Sequence, residues 1–182
     1  MYKIVCIGNT FTGKTSLLER FSDQSFQEQG TATIGVTFSH VTCPGFHMTL
    51  WDTAGQERYS NLSSSYYRGA HVVLLVYAAN DRSSFSGLAH WLRQFQSYGD
   101  RSTLVVVVAN KIDVEERQVS PTDGAHWTEE RNLVYFEVSA KTGAGVHHLF
   151  EWIIGELKKR PQTTTNIKLN QVDSRRDTCC AP

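Results

Sequence analysis

The chain has 182 residues, is 40% hydrophobic and 20% charged, and carries no formal net charge. That composition reads as one soluble domain with a sizeable core and a tail. It excludes a broad electrostatic grip on nucleic acid, since no basic stripe is interleaved with the aromatics. The longest apolar runs, "VVLLVYAA" from Val72 and "LVVVVA" from Leu104, fall far below the ~20 residues of a membrane-spanning helix.

The amino terminus "MYKIVCIGN" lacks the basic lead, apolar centre and small-residue cleavage site of a secretory signal. The expectation is therefore a reducing, cytosolic setting, in which lasting disulfides are rare. No Cys-x-x-Cys pair or Cys/His cluster has zinc-ligand spacing. Cys6, within the apolar strand pattern "YKIVCI", reads as a small buried hydrophobe. The sequon "NLS" at Asn61 is a chance match for a chain that stays out of the secretory lumen.

After that first strand comes "IGNTFTGKTSLLERF", Ile7 to Phe21, with the GxxxxGK[ST] spacing of a phosphate-binding loop that follows a strand and opens a helix. Backbone N–H groups from Gly8, Asn9, Thr10, Phe11, Thr12 and Gly13, and the helix start at Lys14, Thr15 and Ser16, are expected to face phosphates. Lys14 then reaches the terminal phosphates and the Thr15 hydroxyl ligates Mg²⁺. Phe11 is unusual in such a loop. Either its side chain points outward and leaves a backbone-built cradle intact, or its position needs a positive φ, at a cost of roughly 1–2 kcal/mol for a non-glycine residue.

Next, "FSHVT" and "FHMTLWD" flank Pro44-Gly45, the pairing of a type II turn, which predicts one antiparallel hairpin. Further strand-length apolar runs alternate with helical patterns: "HVVLLVY" then a helix from about Ser84 to Tyr98, "TLVVVVA" then a helix from Ser120 to Arg131, and "LVYFEV" then a final helix. This alternation predicts an α/β fold of three layers: a six-stranded, mainly parallel sheet with one antiparallel hairpin and helices on both faces. In the last helix Val146, Leu149, Phe150, Ile153, Ile154 and Leu157 form an apolar stripe. Lys158, Lys159 and Arg160 suit its carboxyl end, and Pro161 stops it.

Three more elements lie at carboxyl ends of strands, the edge where parallel sheets bind ligands. "WDTAGQE" offers Asp52 for a magnesium-bound water and Gly55 for a backbone contact to a terminal phosphate. "NKID" brings Asn110, Lys111 and Asp113, and "SAK" brings Ser139, Ala140 and Lys141. The Asp113 carboxylate can accept from both N–H groups on guanine's Watson-Crick edge. A site so built rejects an analogue lacking those donors by about 10⁴-fold.

With these motifs, and with "TIGVTF" (Thr33 to Phe38), "WDTAGQERYSNLSSSYYRGA" (Trp51 to Ala70) and the ending "CCAP", the chain resembles a Ras-like small GTPase of the Rab family over about residues 2 to 160. The resemblance implies the P-loop GTPase fold, hydrolysis of GTP to GDP with Mg²⁺, and a switch regulating vesicle-mediated transport. It implies that Thr33 ligates Mg²⁺ and senses the terminal phosphate, Gln56 orients the attacking water and Phe26 packs on guanine. It also implies that Phe38, Trp51 and Tyr66 form an aromatic patch read by effectors; apart from the family, these three are equally compatible with core positions. The catalytic set is then Gln56, Lys14 and Thr33, and the metal set Thr15, Thr33 and Asp52. The implied partners are an exchange factor, an activating protein that supplies an arginine, an escort protein or GDP-dissociation inhibitor, and effectors of a monomer.

The pattern departs from the family at Gly30, where an aromatic usually precedes the switch threonine, at Thr37, and in a short hairpin between Phe38 and Trp51. Thr10 near the reaction centre raises a second reading, a hydrolysis-poor GTP-binding scaffold; an ATP-using P-loop enzyme is argued against by "NKID".

From Pro161 the sequence is polar and aperiodic, so residues 1–160 are expected to form the GTPase domain and 161–182 a flexible tail. Lys158 to the end holds six basic and two acidic residues, a net +4, against −4 for the remainder. Such a segment is either a solvated linker or one drawn to an anionic membrane face, with about 1 kcal/mol per basic residue. The terminal pair Cys179 and Cys180 is what the Rab prenylation machinery modifies. It also fits the C-a-a-X pattern formally, though with an unusual final Pro. Two prenyl chains suffice for stable anchoring where one does not, which implies a location on the cytosolic face of a membrane.

Overall fold

The computed structural model describes residues 1–22, 36–43, 46–53 and 66–160. The expectations for Phe26, Gly30, Thr33, the Pro44-Gly45 turn, Gly55, Gln56 and the tail with Cys179 and Cys180 lie outside those residues.

In chain order the elements are β1 (Tyr2–Ile7), α1 (Lys14–Ser22), β2 (Val36–Cys43), β3 (Phe46–Thr53), β4 (Val72–Ala78), α2 (Arg82–Ser86), α3 (Leu88–Tyr98), β5 (Leu104–Asn110), α4 (Pro121–Glu129), β6 (Val134–Glu137) and α5 (Val146–Lys159). The six strands lie in the order β2-β3-β1-β4-β5-β6. Only β2 and β3 pair antiparallel, in a register that sets Phe38 opposite Trp51 and Cys43 opposite Phe46. The other pairings are parallel. The expected mainly parallel sheet with one hairpin is therefore present.

Successive residues of a strand point to opposite faces, and β1 divides its side chains accordingly. Ile4 and Cys6 join Leu17 and Leu18 of α1 and Leu149, Phe150, Ile153 and Leu157 of α5 in one core. Val5 and Ile7 join Phe85 of α2 and Leu88, Trp91, Leu92 and Phe95 of α3 in the other. Every residue of β4 is buried, as a central strand covered on both faces must be. Burying these runs supplies the main folding free energy, about 25 cal/mol per Å² of apolar surface.

The single helix expected from about Ser84 to Tyr98 is two helices. Asp81 starts α2 earlier, at Arg82, because its carboxylate accepts from the N–H groups of Ser83 and Ser84 and so satisfies two donors that a helix start leaves open. Gly87 separates α2 from α3. The next helix follows its sequence signals: Ser120 caps it through the Asp123 N–H and Pro121 is its first residue. It ends at Glu129, two residues short of the expected Arg131, with Asn132 at φ 53 turning the chain toward β6.

Candidate nucleotide-binding site

The site grows from the carboxyl ends of β1, β3, β5 and β6. Directly after β1, Gly8 has φ 143, and a Cβ there would sit 2.1 Å from the Val76 carbonyl oxygen, so β4 leaves no room for a side chain. Gly13 has φ 82, and its Cβ would fall 2.4 Å from Asn110 Nδ2. These two positions require glycine for both conformation and space.

Phe11 resolves both halves of the question its sequence raised. Its side chain is 68% exposed, so it points away from the cradle. Its φ is nonetheless 62, the left-handed region that L-residues occupy at a cost of about 1–2 kcal/mol.

Lys14, the first residue of α1, is 6% exposed. Its ammonium folds back over the loop and donates to the carbonyl oxygens of Gly8 at 3.0 Å and Asn9 at 2.8 Å. Burial lowers its pKa, opposed by the nearby Asp52 carboxylate. Cys6 itself is fully buried, and burial, followed by the Asp52 charge, pushes its thiol well above the usual range. It is an inert core residue, as its sequence context suggested.

On β3, buried Asp52 accepts from Thr15 Oγ1 at 2.5 Å through Oδ2. A hydroxyl and a carboxylate oxygen thus meet where α1 begins. This hard-oxygen pair suits Mg²⁺, which is commonly held by one or two carboxylates together with water and substrate phosphates. Among the described residues no three His, Cys, Asp or Glu side chains cluster as a metal cage.

Asn110, at the end of β5 and 1% exposed, ties the halves of the site together. Its Nδ2 donates to the carbonyls of Thr12 at 2.9 Å and Gly13 at 3.2 Å. Its Oδ1 accepts from the backbone N–H of Lys111 at 2.8 Å and of Ala140 at 3.0 Å. Four bonds from one buried amide hold the glycine loop against the "NKID" and "SAK" segments. Asp113 is exposed, and Ser139 Oγ donates to its Oδ1 at 2.6 Å, which orients the carboxylate at the mouth. Lys111 lies beside the loop, its Cε 3.9 Å from the Cβ position of Gly13.

The structure therefore brings together Gly8, Asn9, Thr10, Phe11, Thr12, Gly13, Lys14, Thr15, Ser16, Asp52, Asn110, Lys111, Asp113, Ser139, Ala140 and Lys141 along one edge of the sheet. It adds two contacts that sequence reasoning missed. Arg20 of α1 donates from Nε to the Ala140 carbonyl at 2.8 Å and from a terminal nitrogen to that of Lys141 at 2.7 Å. Trp91 of α3 donates from Nε1 to Asn9 Oδ1 at 2.7 Å. Both span about half the chain or more, and no local pattern announces either.

Of the three aromatics expected to form a surface patch, Phe38 is 61% exposed and stacks on half-buried Trp51 with ring centroids 5.7 Å apart. Lys3 Nζ lies 3.9 Å from the centroid of the Trp51 ring. Tyr66 is half-buried. Phe38 is thus no core residue.

A glycine-rich loop between strand and helix, a lysine folded over it and the "NKID" and "SAK" segments held beside it are the parts of a P-loop GTPase. The sequence model of the Ras family matches residues 3–159. The chain is 40% identical over 164 residues to the Ras-related protein Rab-18-B of Danio rerio, covering 87% of this chain and 80% of that protein. It is 39% identical over 166 residues to the Ras-related protein Rab-1 of Theileria parva, covering 88% and 76%, and 36% identical over 171 residues to the Ras-related protein RABD1 of Arabidopsis thaliana, covering 91% and 83%. The chain belongs to the Ras family of small GTPases and, within it, to the Rab group. It is a GTPase, which binds GTP and hydrolyses it to GDP, and the general role of its group is in vesicle transport.

Proposed function

We propose that the edge built from the glycine loop, Asp52, "NKID" and "SAK" is the guanine-nucleotide site, with residue roles as follows. Backbone N–H groups of the loop from Gly8 to Gly13, with Thr15 and Ser16 at the helix start, hold the phosphates. Lys14 exchanges its two carbonyl partners for phosphate oxygens. Asp113 and the "SAK" backbone take the base, flanked by Phe26 and Lys111. Thr15, Thr33 and Asp52 hold Mg²⁺, which supplies charge neutralisation on the transferred group. Gln56 orients a water whose oxygen attacks the terminal phosphorus while the bond to the bridging oxygen breaks, leaving GDP and phosphate. Loss of that phosphate removes the anchors of Thr33 and Gly55, and both segments relax. The observation carrying this reading is Asn110, whose one buried amide joins loop carbonyls to the "SAK" backbone.

The rest of the switch follows from the same reading. An exchange factor, an activating protein and an escort protein or dissociation inhibitor act on a monomer, and effectors read Phe38, Trp51 and Tyr66. Geranylgeranyl chains on Cys179 and Cys180 hold the GTPase on the cytosolic face of a membrane. Mass spectrometry of native protein tests this, and unmodified cysteines would reject it. Thr10 crowds an arginine supplied in trans, so replacing Thr10 and Phe11 by Ser and Gly speeds activator-stimulated turnover; an unchanged rate rejects that role.

The test of the site is affinity for GTP, GDP and ATP, followed by single-turnover hydrolysis of preloaded GTP with Mg²⁺ in the natural chain and in Gln56→Leu. The expected result is strong preference for guanine and slow hydrolysis that falls in the variant. Equal affinity for ATP would overturn the base assignment, and unaltered hydrolysis in Gln56→Leu would overturn the role of that residue.

A further inference from the structure

The break between α2 and α3 lies against the glycine loop. Gly87, at the junction, has helical backbone angles, φ −68 and ψ −18, so no conformational demand explains a glycine there. Space does: a Cβ would stand 2.6 Å from Asn9 Oδ1 and 3.1 Å from its Nδ2. One turn further along α3, Trp91 Nε1 donates to the same Oδ1 at 2.7 Å. Trp91 is 6% exposed and belongs to the core on that face, so its indole is a fixed donor. The Asn9 side chain is thus seated in a notch that only glycine leaves open, under one buried N–H.

The seat matters because of what the Asn9 backbone does. Its carbonyl accepts from Lys14 Nζ at 2.8 Å and from Thr12 Oγ1 at 3.0 Å. Two residues on, the chain passes through the strained φ of Phe11, and the far side of the loop is held by Asn110 at the Thr12 and Gly13 carbonyls. A loop carrying a left-handed phenylalanine keeps that shape only when both ends are restrained.

We propose that Trp91 and Gly87 are positioning residues for the phosphate loop: they clip its entrance through the Asn9 side chain, and so slow the release of bound nucleotide without touching it. The inference rests on the reading of this loop as the phosphate-binding one. A single neutral hydrogen bond is worth roughly three- to tenfold in an equilibrium, and that is the scale of the expected effect.

The test measures release of a fluorescent GDP, in Mg²⁺, from the natural chain, Trp91→Phe, Gly87→Ala and the double variant, alongside their melting temperatures. Trp91→Phe keeps a ring in the core and deletes the N–H; Gly87→Ala keeps Trp91 and fills the seat. Both single variants should release GDP roughly three- to tenfold faster. The double variant should be no faster than the quicker single one, because both empty the same seat. In Gly87→Ala the helical preference of alanine over glycine is set against the stranded Trp91 N–H, so the melting temperatures separate the two readings: release that quickens only in proportion to lost stability would overturn the clip. Release at the natural rate in Gly87→Ala, or effects that multiply in the double variant, would overturn the clip. A natural chain that bound no GDP would instead overturn the site assignment, and the clip with it.

Discussion

Phe11 allows the backbone reasoning to be tested apart from the ring. Truncating it removes about a third of a phenylalanine's contact area, since 68% is already exposed. That area is roughly 60 Å², or at most about 1.5 kcal/mol. This loss is common to Phe11→Ala and Phe11→Gly, so the comparison between them isolates φ 62. Alanine retains the left-handed strain of about 1–2 kcal/mol. Glycine relieves it but costs about 0.5–1 kcal/mol in unfolded-chain entropy. The glycine variant should therefore be the more stable by about 0.5–1 kcal/mol, a difference of roughly 1–4 °C in melting temperature for a domain of this size. This reverses the usual order in which glycine is the weaker residue. Because bound nucleotide raises apparent stability by mass action, both variants are to be melted at several GDP concentrations and compared at equal site occupancy. An alanine variant that melts at or above the glycine variant would refute the assignment of strain to this position.

Asn110→Ala removes four hydrogen bonds from a buried group and strands the N–H groups of Lys111 and Ala140. At about 1 kcal/mol net per bond it should cost about 3–4 kcal/mol, read by urea unfolding, and a loss below about 1 kcal/mol would contradict the bridging role. Arg20→Met leaves the Ala140 and Lys141 carbonyls without their guanidinium donor and should speed GDP release roughly tenfold while leaving the further acceleration by EDTA unchanged, because the proposed Mg²⁺ ligands Thr15 and Asp52 are untouched. An altered EDTA response would place the effect elsewhere.

Burial pushes the Tyr67 hydroxyl up to about 12 from an ordinary 10. The unfolded chain loses this proton first, so the stability it contributes is complete below pH 10 and is lost as pH rises from 10 through 12. Two pH units correspond to about 2–3 kcal/mol. Urea unfolding at pH 9 and 11.5 should show Tyr67→Phe losing less stability than the natural chain over that interval, and parallel losses would contradict the shift.

Much of this protein was legible in its residues because the relevant signals are local. Eight residues from Gly8 to Thr15 specify a glycine-marked strand-to-helix loop, since glycine spacing and helix start are short-range properties. The unbroken Val and Leu runs of β4 and β5 announce strands buried on both faces. The final helix reads directly from the three-and-four spacing of Val146, Leu149, Phe150 and Ile153. Tertiary structure decided what depends on contacts between distant segments. Whether Phe11 is strained follows from where β4 and Asn110 hold the loop. That residue 87 is glycine follows from the Asn9 side chain, 78 positions earlier in the chain, which occupies the space a Cβ would need. Arg20 and Trp91 became visible only when the sheet order set α1 beside "SAK" and α3 beside the loop. A hydrogen bond is recognised by distance and direction, and the sequence carries neither until the chain is folded.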